Sequence, residues 1–60
     1  MYELVKFATE QKIKFPELTD DIDGIVELCE MEIEEGSSET HEIQLATEQI
    51  NQLIEEHTKK

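Results

Sequence analysis

Arginine and tryptophan are absent from this 60-residue chain, aromatics make up 5% of it, and the five lysines leave a long gap. Between Phe15 and Thr58 there are fourteen Asp or Glu and no Lys or Arg. With net charge −11, neither nucleic acid nor an anionic membrane is expected as a direct ligand, since both favour clustered cations. One cysteine, Cys29, excludes an intrachain disulfide framework and fits a reducing cytoplasm. No stretch approaches the ~20 apolar residues that span a bilayer, and no basic start leads into a long apolar run, so a soluble, untargeted protein is expected. One proline and two glycines leave few places for the chain to turn.

What is present is helical periodicity. High charge with few aromatics is also the mark of disorder, but the apolar 37% of the chain recurs at helical spacing, and that favours a folded domain. Leu4, Val5 and Ala8, with Met1 close by, mark one face of a helix from Tyr2 to about Gln11. The alternation Lys12-Ile13-Lys14-Phe15 followed by Pro16 predicts its end, because a residue before proline avoids the α region. Phe15 and Leu18 are expected to pin the connection to the core.

Thr19 or Asp20 is placed to cap a second helix that runs to about Glu35 and stops at Gly36. Its Ile22, Ile25, Val26, Cys29 and Ile33 fall in a stripe about 100° wide, the geometry of a core-facing helix. Ser37 and Ser38 offer the next cap, and a third helix from about Glu39 to His57 aligns Ile43, Ala46, Ile50, Leu53 and Ile54. Two heptads are too few for a coiled coil. The repeat of Ala8-Thr9-Glu10-Gln11 as Ala46-Thr47-Glu48-Gln49 is expected to be a chance match between amphipathic helices rather than a duplication. The expected fold is all-α: a single domain over residues 1–60, a small three-helix bundle or a helical hairpin with a short N-terminal helix, completing its thin core by dimerisation.

The placement of charge is more informative than its amount. Glu30, Glu32, Glu34 and Glu35 crowd the C-terminal end of the second helix, where the backbone dipole disfavours carboxylates by a few tenths of a kcal/mol each. Asp23 with Glu27 and Glu30 with Glu34 add like-charge pairs one turn apart, at about 0.2–0.5 kcal/mol per pair. Solubility alone does not require charge where it costs stability, whereas a basic partner surface would remove that cost on binding. The expected partner-binding residues are therefore Asp20, Asp21, Asp23, Glu27, Glu30, Glu34 and Glu35. Phe7, on the flank of the first helix, and Met31 and Leu45, which point away from the apolar stripes, are expected to add an apolar contact patch.

Chemistry is sparse. The run from Thr19 to Glu30 places Asp21, Asp23, Gly24 and Glu30 as a calcium loop would, but Thr19 stands where a first carboxylate belongs, Ile22 fills a polar site and Pro16 breaks the leading helix. Cys29 sits on the apolar stripe, and His41 and His57 share no metal-ligand spacing with it. No nucleophilic triad or phosphate loop assembles, and exposed glutamates lack the contrasting environments that separate an acid from a base. The expected function is a non-enzymatic acidic interaction module without a cofactor, a small regulator or inhibitor docking on a basic protein surface, DNA-mimic-like if that surface holds nucleic acid. Small size and extreme acidity would also suit a phage or mobile-element regulator. Two alternatives stand beside it: a structural or assembly subunit using its exposed apolar residues, and a weak single-loop calcium module.

Overall fold

The computed structural model describes residues 1–59, which form three α-helices. Helix α1 spans Tyr2–Lys14, a 3-10 turn covers Pro16–Leu18, α2 spans Thr19–Glu34, and α3 spans Glu39–Thr58. The bundle is elongated, 37 × 17 × 16 Å, with α2 and α3 as an antiparallel hairpin and α1 laid against it.

The hairpin seam follows the two apolar stripes. Ile22 and Ile50 are fully buried, Cys29 and Ala46 nearly so, and Ile25, Val26, Ile33, Ile43, Leu53 and Ile54 pack partly buried around them. Leu4 and Ala8 of α1 and Leu18 of the 3-10 turn close the cluster. Val5, expected on the α1 core face, is exposed instead. The buried line of α1 follows Leu4 and Ala8, four residues apart, and Val5 lies about 100° round the helix from Leu4.

The end of α1 also differs from expectation. Lys12, Ile13 and Lys14 stay helical, and only Phe15, at φ −130° and ψ 70°, leaves the α region. The restriction imposed by Pro16 thus falls on a single residue. Ile13 is left 75% exposed. Phe15 is half-buried against the core and meets His57 edge-on, with ring centroids 5.8 Å apart, while His57 Nε2 also pairs with Glu17. The last turn of α3 is thereby fastened to the α1–α2 connection.

Neither Thr19 nor Asp20 caps α2. The 3-10 turn feeds straight into the helix, and the Thr19 hydroxyl donates back to the Pro16 carbonyl at 2.7 Å. At the other end Gly36 takes φ +109°, with its N–H on the Ile33 carbonyl and that of Ser37 on the Glu32 carbonyl, the paired bonds of a Schellman stop. Ser38 then caps α3, its Oγ accepting from the His41 N–H at 3.4 Å.

The two glycines should respond oppositely to alanine. A Cβ at Gly24 meets nothing within 4 Å and removes a helix-interior glycine, so Gly24→Ala is expected to add about 0.5–1 kcal/mol to unfolding stability. Gly36→Ala, forced into a left-handed conformation, should lose about 1–2 kcal/mol. Urea titrations of the two variants check both signs.

The core should tolerate no large deletion. A domain of this length has about 3–9 kcal/mol of total stability. Removing the Ile22 side chain beyond Cβ costs about 2–5 kcal/mol, so Ile22→Ala is expected to be largely unfolded at 37 °C by circular dichroism.

Candidate interaction surfaces

At about 100° per residue, the carboxylates of Asp23, Glu27, Glu30 and Glu34 fall within about 60° of arc, in one row along α2. All four are exposed. The row flanks α1: Lys12 Nζ reaches Asp23 Oδ1 at 2.7 Å, and Met1 shares a shallow depression with Glu30, Ile33 and Glu34. Among the described residues no ion pair reaches Glu27, Glu30 or Glu34. Asp20 extends the row at its N-terminal end, in the first turn where the dipole favours it. Asp21 and Glu35 project from the opposite flank, so the seven expected acids form a row of five and two outliers.

The apolar residues do not gather as expected. Phe7 is half-buried against the core and contributes to the fold. Met31 stands 51% exposed on the outer face of α2. Leu45 lines a different feature, a groove between α2 and α3 of about 150 Å³ walled by Ile25, Leu28, Glu32, Glu42, Leu45 and Gln49 and floored by Cys29 and Ala46. Leu28 was not anticipated from sequence. Its spacing of three from Ile25 and four from Glu32 is the signal that places all three on one flank. Tyr2, Val5 and Ile13 form a further exposed apolar line along α1, also unanticipated.

The calcium-like segment is continuous helix. Asp21 and Asp23 point about 160° apart, and among the described residues no group of three acidic, histidine or cysteine side chains is arranged to hold a metal. No helix among these residues is long and apolar enough to cross a membrane. His41 lies exposed near the start of α3, remote in sequence from His57 at its other end.

Cys29 is a buried free thiol whose pKa is raised, first by burial and then by the Glu42 carboxylate. Its role is packing, because the thiolate needed for reactivity is disfavoured there. No known protein family, curated protein or solved structure matches this chain.

The raised thiol pKa predicts a pH dependence. Above about pH 8.5 the unfolded chain loses the Cys29 proton while the folded chain keeps it, so the native state binds more protons and stability falls as pH rises. Between about pH 8 and 9.5, the native protein should lose more unfolding free energy than Cys29→Ala, with a difference in slope of no more than about 1.4 kcal/mol per pH unit. Equal slopes in paired urea titrations would remove this linkage.

Proposed function

We propose that this chain is a non-enzymatic acidic interaction module, a small regulator or inhibitor that docks on a Lys/Arg-rich protein surface. The observation that carries this reading is the row Asp23, Glu27, Glu30 and Glu34, with Asp20 at its start. Like charges stand one turn apart and continue into the end of α2 where the dipole opposes them, with Lys12 on Asp23 as the row's one ion pair among the described residues. A complementary surface would turn that repulsion into attraction and would be reached quickly under electrostatic steering. Where the partner surface normally holds nucleic acid, the row would act as a DNA mimic, with carboxylates about 4.5–6 Å apart along the helix. The unpaired, buried Cys29 suits a reducing compartment such as the cytoplasm.

The exposed line Tyr2, Val5 and Ile13 favours a second reading, an assembly subunit or a homodimer in which this face of α1 is covered. Salt separates the two, since apolar burial survives ionic strength that screens exposed charge.

The test is affinity capture on the immobilised protein at about 0.05 M and about 0.5 M salt, where the Debye length falls from roughly 14 to 4 Å. Capture of the principal partner should fall at least tenfold at the higher salt and with Glu30→Lys/Glu34→Lys. The neutral pair Glu30→Gln/Glu34→Gln should be more stable than the native protein by a few tenths of a kcal/mol and bind less well. Greater thermal resistance with undiminished capture would refute the proposal.

A further inference from the structure

The α2–α3 hairpin has two flanks, and they are treated differently. On one, α1 covers the seam with Leu4 and Ala8 inward and a lysine at its edge, Lys12, on Asp23. On the other, Ile25 and Leu28 of α2 face Leu45 and Ala46 of α3 across the groove, with Glu32 and Glu42 at its sides and no residue of α1 in its wall. Leu28 is 52% and Leu45 39% exposed, and both belong to the walls of this groove. The uncovered flank therefore repeats the chemistry of the covered one: an apolar seam edged by carboxylate.

We infer that this groove seats one amphipathic, lysine- or arginine-bearing helix of the partner protein, completing a four-helix bundle from the side opposite α1. The inference rests on the proposed docking to a basic surface and specifies which part of that surface enters the groove. Charge complementarity selects the occupant. A second copy brought groove to groove would set Glu32 and Glu42 against their own kind, whereas a basic helix meets both carboxylates with opposite charge. The volume selects the anchor: about 150 Å³ holds one benzene-sized apolar group. The partner helix thus lays an apolar face, spaced i, i+3, i+4 and i+7 as in helix-in-groove recognition, along the seam edge, with one Leu- or Phe-sized side chain of that face entering between Leu28 and Leu45 and Lys or Arg on its borders meeting Glu32 and Glu42.

The probes are two synthetic peptides of about 18 residues, long enough for helix to form on binding. Both contain the same leucines and lysines, one with leucines at i, i+3, i+4 and i+7 and one scrambled to destroy the apolar face. The patterned peptide should bind the native protein at least tenfold more tightly, gain helical circular dichroism, and shift the backbone amide resonances of Leu28, Glu32, Leu45, Ala46 and Gln49. Leu28→Gln/Leu45→Gln, at exposed positions, should remove the tenfold preference, while Glu30→Gln/Glu34→Gln should retain it. Amide mapping on the native protein decides the matter even if the double variant folds poorly. Equal binding of both peptides, with shifts confined to the Asp23–Glu34 row, would overturn the groove inference and leave charge-driven docking standing. Failure of both peptides to bind would overturn the two together.

Discussion

The seam between α2 and α3 is the contact on which this molecule depends, because it is the main force opposing the repulsion of its own surface. Ile22, Cys29, Ala46 and Ile50 form its buried centre, and fourteen carboxylates between Phe15 and Thr58 surround it without a lysine or arginine of their own. Apolar burial of a few large side chains contributes about 1.5–3 kcal/mol each, against pairwise repulsions of a few tenths. Burial wins, but with little margin in a chain that exposes so large a fraction of its surface.

The positive charge that tempers this lies mostly outside the hairpin, apart from Lys59 at the end of α3, which pairs with Glu55 at 3.3 Å. Lys6, Lys12 and Lys14 all belong to α1, and Lys12 reaches across to Asp23. At side-chain exposures of 30% and 54% this pair is well solvated and contributes no more than about 1 kcal/mol. Its larger consequence is for specificity: it helps to seat α1 beside one acidic flank and leaves the flank with Glu32 and Glu42 uncompensated by any ion pair among the described residues.

The hairpin was legible in the sequence because period-3.6 stripes encode the faces of helices that bury a wide surface. All ten positions read from α2 and α3, from Ile22 to Ile54, lie in or against the core. Helix α1 was less legible because it touches the hairpin along a narrow line. When only Leu4 and Ala8 must be fully buried, adjacent apolar residues such as Val5 and Phe7 are divided between solvent and core by the tilt of the helix, which depends on tertiary contacts. The α2 start differs for a related reason: Leu18 is buried from a 3-10 turn that runs directly into α2, and that geometry leaves Thr19 inside the helix rather than at its cap. The acidic row was visible as spacing within one helix. The groove was not, because its walls combine Leu28 with Leu45, seventeen positions apart, and only the packing of α2 on α3 brings them together.

That difference in origin separates the two surfaces physically. The row is a property of α2 alone and would present its charge wherever that helix folds, so it favours long-range attraction and fast encounter with many basic surfaces. The groove exists only when α2 and α3 are paired, is shallow enough to admit one apolar side chain, and is flanked by two half-buried carboxylates, Glu32 and Glu42. Charge on an exposed row discriminates weakly among cationic partners, whereas a depression of fixed shape rejects those that cannot fill it. A molecule with both would use the first to gather basic surfaces and the second to choose among them, and selectivity would then depend on the same seam that holds the fold together.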